Sequence, residues 1–274
     1  MYELIKNKYN AWFQRLRFNL SANNNALFIA TYKYLYFPAR GSMKDFLNQY
    51  AKSKPNNFTV IQIGANDGMF HDPIHKFIKR DNWKGVLLEP QSYVYENFLK
   101  KIYAKNEGIH PLCAAIGEED GHRNLYKIGF TNMRWATGLA SFDRKQIELS
   151  YESGQVKKNC LRHGLEMPTD PEKQIIAEKV EVISPATLMK RYSISDIDLL
   201  QIDAEGFDYQ VIKIFDIAKT KPKAIVFENM HLSPNEKKEC AALFESNDYA
   251  WHEFGANTVA MKRPLDTLAG FFKN

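Results

Sequence analysis

From Phe58 onward, short apolar runs alternate with amphipathic stretches, the pattern of strands alternating with helices in a parallel α/β sheet. The runs predict strands over Phe58–Ile63, Gly85–Leu88, Leu112–Ile116, Arg123–Ile128, Glu178–Ile183, Ile197–Ile202 and Ala224–Phe227. Helical spacing fills the gaps at Pro73–Lys79, Tyr93–Tyr103, Pro185–Tyr192 and Asp208–Ala218, and from Ser233-Pro234 to about Ser246. Asp72 suits the N-cap of the first of these helices and Pro73 its first position. Tyr249–Phe254 and Thr258–Lys262 read as a closing hairpin about Gly255-Ala256-Asn257.

Two segments depart from this rhythm. Residues 1–54 lack strand alternation; Tyr9, Trp12, Phe13, Leu16 and Leu20 recur near helical spacing, and Ser42 suits an N-cap for Met43 to Ala51. They read as an N-terminal helical extension of a main domain at 55–274. Packing on that domain is the plain role; a homodimer contact or a peripheral membrane interface also fits the basic, aromatic character. Residues 129–178 read as irregular. Such length is unusual for a connection inside a compact domain, so an insertion acting as a substrate lid is expected, against the plainer reading of a disordered loop.

A chain of 274 residues allows one large domain, or one domain plus an appendage. Its net charge of +5 is mild and reads as spread along the chain without a long Lys/Arg block, which argues for a solvated surface. Three widely spaced cysteines, Cys113, Cys160 and Cys240, form no CxxC; a disulfide framework and a zinc cluster are not expected, and a reducing cytoplasm is. The first residues mix charge and aromatics, unlike a secretory leader, and no stretch is apolar enough to span a bilayer.

Ligands of open α/β sheets sit beyond the carboxyl ends of the strands. After the first strand come Gly64, Ala65, Asn66, Asp67 and Gly68. Glycines permit a sharp turn and a close backbone approach, and amides entering a following helix favour a carboxylate or phosphate. After the second come Glu89 and Pro90; Glu89 lies 25 residues past Gly64, near the spacing of an acid that grips a ribose diol. Neither GxGxxG nor GxxxxGK[ST] occurs, so no dinucleotide or ATP loop is provided. A ribose-bearing cofactor without phosphate, such as S-adenosyl-L-methionine, suits this loop. An ordinary turn beside an exposed glutamate is the plainer alternative.

A second constellation ends two later strands: Asp203, Glu205 and Gly206 after one, Glu228 and His231 after the other. Methyl transfer to an alcohol needs alignment and a general base, which carboxylates and a near-neutral histidine can supply. Asp203 and His231 are the candidates for orientation and base, with Glu205 and Glu228 holding substrate or cofactor. Capping, surface exposure and salt bridges are the alternative uses of these side chains. Clustered carboxylates can also take a divalent ion, but no spacing demands one, and the pair His71 and His75 is a weaker metal candidate still.

The stretch Ile197-Asp198-Leu199-Leu200-Gln201-Ile202-Asp203-Ala204-Glu205-Gly206-Phe207-Asp208 resembles the signature of FkbM-type methyltransferases, usually close to I-D-L-L-K-I-D-V-E-G-x-E. Ile63 to Gly68 is similar to that family's first motif, Leu88-Glu89-Pro90 to its second, and Cys113-Ala114-Ala115-Ile116-Gly117 to a stretch near its adenine pocket. The resemblance spans roughly residues 58–262. It implies a Rossmann-like class I methyltransferase fold, with a seven-stranded, mostly parallel sheet flanked by helices. It also implies S-adenosyl-L-methionine as cofactor, with Cys113 and Ala114 near the adenine, and O-methylation of a saccharide or natural-product hydroxyl. Gln201 replaces the usual Lys, Ala204 the usual Val and Cys113 the usual Asn. Two other functions remain open from sequence: a nucleic-acid 2′-O-methyltransferase, disfavoured by the lack of a basic stripe with interleaved aromatics, and a cofactor-binding scaffold without catalysis.

Overall fold

The computed structural model describes residues 2–54 and 58–272. Among the described residues, ten strands run in chain order as β1 (Thr59–Ile63), β2 (Lys84–Leu88), β3 (Ile109–Leu112), β4 (Ala115–Ile116), β5 (Gly121–Ile128), β6 (Ile175–Ile183), β7 (Leu199–Ile202), β8 (Ala224–Glu228), β9 (Tyr249–Phe254) and β10 (Asn257–Lys262). Seven form one sheet in the order β3-β2-β1-β7-β8-β10-β9. Strands β3, β2, β1, β7 and β8 are parallel, and β10 is antiparallel to both neighbours. This is the seven-stranded, mostly parallel architecture that the resemblance implies. A second sheet, β4-β6-β5, stands apart.

Apart from Gln62 and Gln201, the buried positions of the central strands are apolar on both faces because helices cover both. Alternate residues therefore enter two cores. Val60, Leu199 and Val226 meet Phe46, Leu47 and Phe77 on one side; Ile61, Leu200 and Ile225 meet Leu188, Ile212 and Phe244 on the other. Each such side chain contributes about 1.5–3 kcal/mol when removed from water. The short strand β1 is thereby pinned in register with both β2 and β7.

The predicted third strand proves to be two. Cys113 and Ala114 separate β3, at the edge of the large sheet, from β4, which pairs with β6 instead. The segment read as irregular is also ordered: it holds helices Arg134–Thr137, Arg144–Glu152, Gln155–His163 and Pro171–Gln174, and β6 begins at Ile175. Ile128, Ala136, Ile147, Val156 and Cys160 form a small core of its own. Its helices are short and interrupted by glycines, so no long hydrophobic period marks them in sequence.

The N-terminal segment folds as helices Tyr2–Ala22, Ala26–Tyr34 and Met43–Ser53. Ser42 caps the third as expected, accepting from the Asp45 amide at 3.2 Å. That helix buries Phe46, Leu47 and Tyr50 in the same core as the sheet, and the Tyr50 hydroxyl donates to the Asp198 carbonyl at 3.0 Å. The helix after β1 starts at His75 rather than Pro73, but Asp72 still caps its entry, accepting from the amides of Ile74 and His75.

A polar junction ties the first two helices to the domain. Lys79 is 3% exposed and reaches four oxygens: the Ser21 and Ile102 carbonyls at 3.0 and 2.6 Å, and the Asn24 and Asn106 side chains at 2.8 and 2.6 Å. Beside it, the Tyr103 hydroxyl donates to the Gly68 carbonyl at 3.0 Å. That hydroxyl must then accept from His75 Nδ1, 3.0 Å away, which leaves Nε2 to accept from the Ser21 hydroxyl at 2.9 Å. Burial holds the imidazole neutral, its pKa lowered to about 3. His75 is therefore a structural connector rather than half of a metal pair with His71. Replacing Lys79 with Met would remove the ammonium donor from the buried Ile102 carbonyl and from the part-buried side chains of Asn24 and Asn106, while the Ser21 carbonyl would keep the Asn24 amide. Urea unfolding of Lys79→Met should show a loss of about 2–4 kcal/mol; a loss below measurement error would remove the junction from the account of stability.

Candidate active site

Chain order reverses direction between β1 and β7, the place where open α/β sheets bind ligands. At the carboxyl ends of these strands, the Asp203 amide donates to the Ile63 carbonyl at 2.9 Å. A Cβ on Gly64 would lie 1.8 Å from the Asp203 carbonyl oxygen, and φ at Gly64 is +76°, so glycine alone fits. A cleft of about 530 Å³ opens above this contact. Gly64, Asn66, Glu89 and Pro90 line it from one side, Asp203, Glu205 and His231 from another, and Ala114 to Ile116 supply an apolar wall. The structure thus brings most of the sequence-selected residues to one opening.

The expectation that loop amides point at a ligand is overturned. Gly64 and Ala65 donate to the Leu88 carbonyl, Asn66 to Glu89, and Asp67 to the Asn66 side chain. Gly68 donates to Ala65, and Met69 and Phe70 donate to Asp67. Every amide from residue 64 to 70 is committed inside the protein, because the helix begins only at His75 and cannot align them. Asp67 works from behind the loop as its internal cap. Ala65, Asp67, Gly68 and Cys113 are not among the residues lining the cleft; the Cys113 thiol lies 3.8 Å from the Pro90 carbonyl.

Glu89 is buried beneath the loop. Its carboxylate accepts from Asn66 at 3.0 Å and from the Gln91 amide at 2.9 Å. It shapes the turn as well as lining the cleft. Burial raises its pKa to about 7, against the pull of these hydrogen bonds.

Asp203 and Glu205 are open to the cleft yet ringed by protein, and both are shifted upward. For Asp203 the cause is desolvation, opposed by the positive charge of Arg134. For Glu205 desolvation comes first, the charges of Asp203, Glu228 and Asp208 add to it, and the result is about 7. Asp208 is fully buried. It accepts from the amides of Ala204 (3.4 Å), Gly206 (3.2 Å) and Glu228 (3.3 Å), tying the two loops together, and burial raises it to about 6. Glu228 sits behind His231, with 3.5 Å between its Oε2 and the histidine Nε2. One ligand atom each from Glu205, Glu228 and His231 lie within 4.8 Å of one another, so this group has the donors for a divalent ion.

Four residues here escape motif reading. The Arg134 guanidinium pairs with Asp67 and donates to the Phe70 carbonyl, and the Gln91 side chain donates to the Thr137 carbonyl at 3.0 Å. Together they clasp the inserted helix Arg134–Thr137 over the cleft. Arg123 lies 5.0 Å from the centroid of the Phe142 ring, and both line the outer wall. Gln91 follows Glu89 closely enough to be found by proximity; Arg134, Arg123 and Phe142 carry no local signal, because only tertiary folding brings them to the site.

A carboxyl whose folded pKa is raised keeps its proton in the fold where the unfolded chain has lost it. Its favourable contribution is full below about pH 4.5 and disappears as pH rises through about 7. Comparing Glu205→Gln with the wild type isolates this group from His75 and Lys79, which titrate with the opposite sign. The variant's thermal midpoint should match the wild type near pH 5 and exceed it by a few degrees near pH 8. A constant difference across that range would show that Glu205 bears no such charge strain.

A search of curated proteins returns no match. Among solved structures the chain is similar to methyltransferase FkbM from Methylobacillus flagellatus, with 12% identity, 76% of this chain and 44% of that one covered, and a TM-score of 0.44. The present chain thus spans less than half the length of that protein. A human methyltransferase 10 domain containing protein matches at 9% identity over 83% and 85% of the two chains, with a TM-score of 0.40. M. capricolum TrmK, solved with S-adenosyl-homocysteine, matches at 12% identity over 79% and 67%, with a TM-score of 0.34. The family model for the methyltransferase FkbM domain matches residues 62–254, which include the Gly64 turn, Glu89, Asp203, Glu205, Glu228 and His231. The chain therefore belongs to the FkbM methyltransferase domain family.

Proposed function

We propose that this protein binds S-adenosyl-L-methionine at the ends of β1, β2 and β7, and methylates a hydroxyl group of a saccharide or related natural-product acceptor. The observation that carries this reading is the convergence of Glu89, Asp203, Glu205 and His231 on one cleft at the switch point of the sheet. The donor chemistry suits a cofactor without phosphate. The loop amides are all engaged, whereas carboxylates are available for a ribose diol and an ammonium group, and Ala114 to Ile116 offer an apolar face to a base. Glu89 would hold the ribose, Asp203 the amino-acid tail, and Asn66 and Pro90 would border them. The cofactor, when bound, supplies an electrophilic methyl group on a sulfonium.

The remaining work falls to the protein. Glu205 can accept a hydrogen bond from the acceptor hydroxyl and fix its direction, so that alignment is complete before reaction. His231 can take the hydroxyl proton as it is released, while Glu228 behind it orients the ring and opposes the new positive charge. Residues 129–178 act as the lid, held down by Arg134 and Gln91, and its Phe142, together with Arg123 of β5, selects the acceptor.

Charge favours a saccharide over a polynucleotide. Among the described residues, Glu89, Asp143, Asp203, Glu205 and Glu236 line the cleft together with one Lys or Arg, Arg123. A phosphate backbone would be repelled there, whereas sugar hydroxyls donate readily to carboxylates.

Two substitutions separate binding from catalysis. Asp203→Asn should weaken S-adenosylhomocysteine binding about tenfold by calorimetry, the loss expected for one charge-assisted hydrogen bond. His231→Ala should leave that affinity within about twofold and lower methyl transfer to a panel of saccharide and alcohol acceptors at least about 100-fold. Tight cofactor binding by wild type with no acceptor ever turned over would instead indicate a scaffold, and absence of cofactor binding would sink the reading entirely.

A further inference from the structure

Lys and Arg are spread along the chain, but acids are scarce in its first 54 residues, so the net positive charge lies there. Residues 1–54 hold nine Lys/Arg and two Asp/Glu, a net charge of +7 in a chain whose total is +5. The remaining residues are therefore net negative by two. The same segment carries a large exposed apolar surface.

On helix Tyr2–Ala22, Tyr9, Trp12, Phe13 and Leu16 follow the i, i+3, i+4, i+7 spacing of one face. They are 60%, 58%, 42% and 37% exposed. Phe18, about half a turn from the centre of this stripe, packs edge-on against Phe98 at 6.0 Å. The domain thus holds the opposite side of the helix and leaves the stripe facing outward. At about 100° per residue, Arg15 and Arg17 fall to either side of it. On and after helix Ala26–Tyr34, Leu27, Leu35 and Phe37 are more than two-thirds exposed, with Lys33 and Arg40 near them in the chain.

We infer that this N-terminal segment is a docking surface for an anionic lipid bilayer. An amphipathic helix with an aromatic face and flanking cations lies in the plane of the headgroups, with the rings at the level where Trp and Tyr are favoured and the cations against lipid phosphates. The charge decides among occupants. Two copies meeting through this face would bring Arg15, Lys33 and Arg40 of each against the same cations of the other, and the segment has few acids to pair with them, so a homodimer is disfavoured. Leucines beside the aromatics suit acyl chains better than stacked bases, which disfavours a nucleic acid. Among the described residues no helix is long and apolar enough to cross a membrane. The inference does not depend on the proposed reaction.

Co-sedimentation of the full chain with vesicles tests it. The protein should pellet with phosphatidylcholine–phosphatidylglycerol vesicles, remain free with phosphatidylcholine alone, and be released by high salt. Trp12→Ser with Phe13→Ser, both exposed and therefore compatible with folding, should lower the bound fraction at least about fivefold, with cofactor binding unchanged. Trp12→Phe should still pellet but lose most of the blue shift in tryptophan emission. No binding to anionic vesicles overturns the inference. So does a concentration-dependent dimer abolished by the double variant, which would assign the stripe to a second copy, or salt-sensitive RNA binding without vesicle binding.

Discussion

The backbone of Gly64 lies against the backbone of Asp203, and the candidate site depends on that contact. A side chain at 64 would occupy the space of the Asp203 carbonyl. With glycine there, two neighbouring strands can end at the same level, and the chain can turn away in opposite directions above them. The cleft is what this divergence leaves open. The Leu88 carbonyl, which takes the amides of Gly64 and Ala65, locks β2 to the same level and delivers Glu89 beneath the loop. Three strand ends are thus held by backbone hydrogen bonds, whose geometry is far less adjustable than that of surface side chains.

The carboxylates around the cleft stand in tension with stability. Asp203, Glu205, Asp208, Glu228 and Glu89 are drawn together, and each is pushed upward by burial. Hydrogen bonds to the amides of Asn66, Ala204, Gly206, Gln91 and Glu228 offset part of that cost. The remainder is relieved by positive charge: Arg134 lies near Asp203 and Glu205, and a cationic ligand would add to it. Such an arrangement suits a site whose occupant carries a cation and whose chemistry needs a proton acceptor near neutrality.

The first helices share one polar junction with the glycine loop. Ser21, His75 and Tyr103 form a line of hydrogen bonds ending on the Gly68 carbonyl, and Lys79 secures the same corner. The segment that carries the exposed aromatic face is therefore fastened to the wall behind the Gly64 turn. Its outward face and its inward anchoring come from the same helix, on opposite sides.

Much of this was legible in the sequence, because the relevant signals are local. Alternating apolar runs mark the strands of the large sheet, Ser42 and Asp72 mark helix entries, and the Gly64 turn, Glu89 and the Asp203-to-Asp208 stretch mark the strand ends that bear polar chemistry. These follow from backbone periodicity and residue type alone. Tertiary structure decided what depends on distant residues. It split the predicted third strand at Cys113, since β4 finds its partner in β6 more than 60 residues away. It built helices and a small core in residues 129–178, whose apolar positions are too sparse to announce themselves. It spent the loop amides on Leu88, Glu89 and Asp67, and it set Arg134, Arg123 and Phe142 around a cleft that none of them marks in sequence. Local periodicity specifies which elements form; hydrogen-bond partners and buried charges are settled only when those elements pack, because each donor pairs with whatever acceptor the fold brings within reach.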